Sequence, residues 1–200
     1  YFSLQMHRTG HHRGDDFALY INQARSLFEG DIARVIDDNR FLWTYSVGVT
    51  PQMYPWGFPV LLSPFVRFFG TEAYAELKIV EVVVYCVWLV LLHGIVRRRL
   101  GRGVALAFTA VFATAPLYLL HTDQLLTEIP HLAAVAVAIW AIDRVIDKGS
   151  LLAASTRDLI VVGLVICLAF NFRRESLALI PALAAVHVVD LITAWRADGG

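Results

Sequence analysis

The stretch of residues 77–96, LKIVEVVVYCVWLVLLHGIV, decides the fold. A helix crosses a bilayer's hydrocarbon core with about 20 predominantly apolar residues, and this run has that length and character. Arg97, Arg98, Arg99 and Arg102 follow it directly. Cations flanking an apolar span gather on the cytoplasmic side, so the run reads as a transmembrane helix whose C-terminal end faces the cytoplasm. Composition agrees: of 200 residues, 58% are hydrophobic and 17% charged, where a soluble domain carries about a quarter charged. Mean hydropathy is +0.59, and the apolar excess begins at Leu77. Lys+Arg and Asp+Glu balance at 17 each, leaving no net basic field to attract nucleic acid.

Further spans are expected at 104–120, 129–146, 151–170 and 177–192. The expected fold class is therefore all-α and polytopic, in two parts. Residues 1–76 form an extracytoplasmic loop carrying two interfacial helices, and residues 77–200 form a region of about five spans. The chain starts without Met and stops in mid-pattern, so it reads as a fragment of a longer one. Cys86 and Cys167 fall inside apolar segments and read as buried small fillers, without a disulfide framework.

Within the first part, Phe17, Tyr20, Ile21, Ala24, Leu27 and Phe28 recur at helical spacing. Asp15 or Asp16 can cap that helix and Gly30 can end it. Asn22, Gln23, Arg25 and Glu29 take the opposite face, and such a helix is expected in the headgroup plane. Residues 40–59 read as an irregular loop. Pro59 suits the first turn of a second helix over 60–69, stopped by Gly70. Its Leu61, Leu62, Phe65, Phe68 and Phe69 are expected to dip into lipid, and Thr71 is expected to cap the next helix.

Counting spans from the arginine loop puts residues 1–76, the 121–128 loop and the 171–176 loop on one face, outside the cytoplasm. Three polar constellations meet there. Asp15-Asp16 offers carboxylates at headgroup depth, suited to taking a proton from an attacking hydroxyl. Glu128 stands at the mouth of a span, followed by Ile129-Pro130. Arg173-Arg174-Glu175 puts two guanidinium groups where positive charge is otherwise scarce, and guanidinium binds phosphate bidentately. Which arginine does so is open. His7, His11 and His12 lie upstream of the acidic pair, but their spacing matches no tight metal signature. Tyr54 and Trp56 suit a sugar, a lipid contact or plain interfacial anchoring. His93, His187 and Asp190 read as boundary residues.

Gly14-Asp15-Asp16-Phe17, Tyr54-Pro55-Trp56-Gly57-Phe58-Pro59 and Leu126-Thr127-Glu128-Ile129-Pro130, in this order, resemble the GT-C glycosyltransferases. The resemblance is to the branch holding protein O-mannosyltransferases and lipid A aminoarabinose transferases. Trp56 stands where the comparable segment carries a second proline. The resemblance implies a membrane enzyme moving a sugar from a polyprenyl-phosphate carrier to a glycan, lipid or protein acceptor on the extracytoplasmic face of the plasma or inner membrane. It implies Asp15 as base, with Asp16 as partner, cap or metal ligand. Glu128 would orient acceptor or metal, and an arginine of the pair would contact the carrier phosphate. A divalent cation is left open, since some of these enzymes use one and others do not. The alternative is a polytopic transporter or lipid-binding protein, which calls for polar groups near mid-bilayer.

Overall fold

The computed structural model describes residues 2–5, 7–8, 10–11, 16–45, 54–148 and 153–198. Among them there are helices and turns and no strand. The helices are α1 (Phe2–Gln5), α2 (Asp16–Glu29), α3 (Ile32–Tyr45), α4 (Gly57–Phe69), α5 (Tyr74–Leu100), α6 (Arg102–Thr114), α7 (Pro116–His121), α8 (Glu128–Ile146), α9 (Thr156–Phe172) and α10 (Leu179–Asp198). A 3-10 turn, Arg174–Ala178, joins α9 to α10. Three stretches are long and apolar enough to cross a membrane: Tyr74–Leu100, Glu128–Ile146 and Arg174–Thr193. The molecule is an all-α membrane protein.

The expected interfacial helix is present as α2, ended by Gly30 at φ +79°. Its surroundings differ from the expectation. Tyr20, Ile21 and Ala24 are buried against Phe58, Leu62 and Val66 of α4, Leu77 and Val80 of α5, and Leu125. The apolar face of α2 is thus covered by protein and not by lipid. Gln23, expected on the outer face, is fully buried and donates its amide to the Tyr54 carbonyl at 3.1 Å. That bond satisfies a buried amide and ties α2 to the segment entering α4. α4 begins three residues before the expected start, and only part of its apolar surface is free. Phe68 is 82% exposed whereas Leu62 is 0% exposed. Helix α3 runs on to Tyr45, so the segment expected as a loop from residue 40 is helical at its start. Thr71 lies in a turn, and the N-cap of α5 is Ala73, which makes no side-chain cap bond.

The expected span at 104–120 is broken. Proline disfavours helical backbone in the residue before it, and Ala115 ahead of Pro116 is extended at φ −65°, ψ 121°. Pro116 also has no N–H to give the carbonyl of Phe112, four residues earlier. The Ala115 N–H reaches that carbonyl only at 3.4 Å, and Tyr85 of α5 adds a stronger donor, its hydroxyl lying 2.6 Å from it. In hydrocarbon, where no water serves a stray carbonyl, such a bond lets the break persist. The phenol sits in a second core of Tyr85, Trp88, Leu119, Ile129, Ala133 and Ala136.

α8 and α9 form the third core through Ala138, Ala141, Val145, Val162 and Ile166. Ser155 caps α9 by accepting the Asp158 N–H at 3.2 Å. Cys86 and Cys167 are free and exposed on the helix flanks; they are not the buried fillers expected. α5 and α8 end at the same side, where Arg98 reaches Asp143 at 3.3 Å and Arg99 reaches Asp147 at 2.9 Å. The arginine loop is therefore bound to the tail of α8. The opposite ends of these helices carry the site.

Gly57 fixes how closely that site is drawn together. A Cβ placed there would lie 2.6 Å from the carbonyl oxygen of Asn171, near the end of α9. Gly57→Ala must push α4 away from the segment leading to Arg173. It is expected to cost about 1–3 kcal/mol through overpacking, read as a lower melting temperature in detergent.

Candidate active site

At the end of the bundle opposite the arginine loop lies a cleft of about 320 Å³. Five of the sequence-derived site residues line it: Asp16, Tyr54, Glu128, Arg173 and Arg174. They come from four separate parts of the chain. Asp15 lies outside the described residues. Trp56, at the N-cap of α4, is not among the cleft's lining residues.

Each side chain is set by its element. Asp16 opens α2, where the helix dipole favours a carboxylate. The Tyr54 hydroxyl donates to Asp16 Oδ1 at 2.7 Å. Burial, then this carboxylate, raise the Tyr54 phenol above its ordinary pKa, so it stays a donor. Tyr20, buried at the floor, is pushed up to about 12 by burial first and then by the charges of Asp16 and Glu128. Both phenols are thus neutral hydrogen-bonding groups at any physiological pH.

Glu128 occupies the first turn of α8 and faces the end of α9. Arg173 is extended at φ −150°, ψ 139°, which ends α9 and turns its side chain across the cleft. Its Nη1 donates to Glu128 Oε1 at 2.7 Å and its Nη2 to Glu175 Oε1 at 3.1 Å. Burial opposes the charge on Arg173, but Glu175 and Glu128 outweigh it and raise its pKa. Arg174 is exposed at the cleft rim and makes no ion pair among the described residues. The two arginines therefore differ among the described residues: Arg173 is paired with two carboxylates and Arg174 with none. The 3-10 turn carrying them is pinned to α8 by a 2.8 Å hydrogen bond between Ser176 Oγ and His131 Nε2.

Two histidines of the upstream cluster lie among the described residues. His11 stacks on Phe17 at 3.9 Å and accepts the Leu125 N–H at 3.0 Å; His12 lies outside the described residues. Among the described residues no three His, Cys, Asp or Glu side chains converge to hold a metal ion. His7 is held below its ordinary pKa by burial, with Asp123 opposing and Lys78 adding to the effect. A folded pKa below the unfolded one means that the unfolded chain takes its proton first as pH falls. The attachment of residues 2–11 is thus expected to weaken below about pH 6.5. Hydrogen exchange across that segment should show this, and His7→Gln should flatten the dependence.

The sequence reading missed Lys78 and Glu81. Both are fully buried on α5, and two opposite charges three residues apart inside an otherwise apolar span were the available signal. The Glu81 carboxyl lies by the Leu126 N–H in the field of Glu128. Lys78 reaches Asp123 at 2.8 Å.

A family model for dolichyl-phosphate-mannose-protein mannosyltransferase matches residues 51–196. The chain belongs to that family. It is accordingly a glycosyltransferase of the mannosyltransferase type within the GT-C group, and an integral membrane protein. The matched stretch takes in Tyr54, Glu128, Arg173 and Arg174 of the cleft, and begins after the acidic pair. No curated protein and no solved structure matched the chain.

Proposed function

We propose that the chain transfers a mannosyl-type sugar from a polyprenyl-phosphate carrier to a hydroxyl-bearing acceptor on the extracytoplasmic face. The observation that carries this reading is the convergence of Asp16, Glu128, Arg173 and Arg174 on one cleft at the bundle end away from the arginine loop. The positive-inside bias supports an outward orientation for that end. Residues 1–76 serve as the outer loop, and residues 77–200 as the multi-span part holding it to the bilayer.

The reaction is a single displacement. The acceptor oxygen attacks the anomeric carbon as the bond from that carbon to the phosphate oxygen breaks. The acidic pair takes the hydroxyl proton, with Asp15 as the base and Asp16, fixed by Tyr54, as its partner. The departing polyprenyl phosphate keeps the bonding electron pair, and its charge is met by Arg174. Arg173 is committed to Glu128 and Glu175, so its part is to hold Glu128 toward the acceptor. Tyr54 lines the sugar pocket, and Trp56 serves as an interfacial anchor beside it.

The test uses the full-length protein in membrane vesicles with polyprenyl-phosphate mannose labelled in the sugar. Label is expected to move to an acceptor outside the vesicle lumen equivalent to the cytoplasm. If no label moves from any polyprenyl-phosphate sugar while lipid is carried across the bilayer, the protein is a transporter and this reading fails.

A further inference from the structure

Ser3, Arg8, Gly10 and His11 are laced onto the loop that precedes Glu128 and onto α5. Lys78, a fully buried side chain near the start of α5, sits at the centre of the lacing. An ammonium has three hydrogens to give, and all three are spent here. Nζ donates to the Arg8 carbonyl at 3.1 Å, to the Gly10 carbonyl at 2.8 Å and to Asp123 Oδ1 at 2.8 Å. The same Asp123 oxygen accepts the Arg8 N–H at 2.9 Å. On either side, the Ser3 hydroxyl meets that of Thr122, and His11 accepts the Leu125 N–H at 3.0 Å.

Both laced segments touch the elements of the cleft: His11 stacks on Phe17, next to Asp16 on α2, and beyond Leu125 the chain leads to Glu128 and α8. A side chain that binds two carbonyls of one segment and a carboxylate of the other sets the distance between them. Burying a charge is costly unless it is fully paired, so so complete a set of partners leaves the two segments one low-energy relative placement.

We propose that Lys78 is a positioning residue for sugar transfer, holding Asp16 and the start of α2 in register with the Glu128–Arg173 bridge. The proposal rests on the transfer reading given above. Lys78 lies outside the cleft lining and touches no reacting atom; it acts through the carbonyls of Arg8 and Gly10 and through Asp123.

The test compares the full-length wild type, Lys78→Met and Asp123→Asn in membrane vesicles. Lys78→Met keeps the length of the side chain without its charge and is expected to lower kcat on the order of 10²-fold, the scale of a misplaced reacting group. KM for the polyprenyl-phosphate sugar is expected to hold, because Arg174 is untouched. Asp123→Asn keeps an acceptor oxygen and should show a smaller loss in the same sense. A bridge between Ser3→Cys and Thr122→Cys, added to Lys78→Met, should restore most of kcat once oxidised. Wild-type kcat in Lys78→Met overturns the proposal, as does a folded variant whose loss the bridge leaves untouched. If Lys78→Met does not fold, wild-type kcat in Asp123→Asn overturns it equally. Hydrogen exchange separates this from failure of the transfer reading. Residues 2–11 and 122–126 should lose protection together in Lys78→Met even where no donor is turned over, and unchanged protection overturns the lacing itself.

Discussion

Arg173→Ala is expected to lower kcat by on the order of 10²–10³-fold, the scale for removing one preorganised charge from an active site. The variant does two things at once. It leaves Glu128 and Glu175 without the guanidinium that bridges them through bonds of 2.7 and 3.1 Å, and it lets the start of α8 and the end of α9 separate. Arg173→Lys should recover only part of the loss, because an ammonium cannot span both carboxylates as a planar fork does. Arg174→Ala is the informative contrast. With no ion pair among the described residues, Arg174 is the guanidinium proposed to meet phosphate, so its loss should raise KM for the lipid-linked donor and weigh less on kcat. Initial rates over a donor series, in vesicles with equal amounts of folded protein, separate the two. Equal effects of both variants on KM alone would remove the division of labour drawn from the ion pairs.

Asp15→Asn is expected to cut transfer by about 10²–10⁴-fold, the range for loss of a general base, with the protein still folded in the membrane. The amide is the same size and cannot take the proton. Asp16→Asn should cost less, on the order of tenfold. It keeps an oxygen to accept the Tyr54 hydroxyl but weakens the charge that favours proton transfer to its neighbour. A fully active Asp15→Asn enzyme would transfer the role of base to Asp16 or Glu128, and the pH profile of Asp16→Asn would then decide between them.

These expectations combine what could be read along the chain with what could not. The amphipathic spacing from Phe17 to Phe28 was enough to give α2, because a helix repeats its face every three to four residues whatever it packs on. The same spacing could not say what the face meets, and α4, not lipid, covers it. Gln23 shows the limit in one residue: polar, and so assigned outward, it is buried because the Tyr54 carbonyl waits for its amide. The apolar run 104–120 was read as one span, yet Pro116 breaks it, and Tyr85 from another helix helps serve the Phe112 carbonyl that the proline cannot reach. For the site, order and loop charge were enough to bring Asp16, Glu128 and the two arginines to one face. They were silent on the difference between the arginines, which follows from where Glu128 and Glu175 fall.

Read along the chain alone, the residues make it helical, set it in a bilayer and bring its polar loops to one end of the bundle. Apolar run length, flanking charge and local turn residues act within a few residues of where they are written. Only the tertiary structure decided that Arg173 is spent on two carboxylates, that Gly57 lets α4 touch Asn171, and that Lys78 binds the first residues of the chain to the loop before Glu128. All but the Arg173–Glu175 pair join segments dozens of residues apart. Their energies depend on distance and burial, and neither exists until the helices have packed.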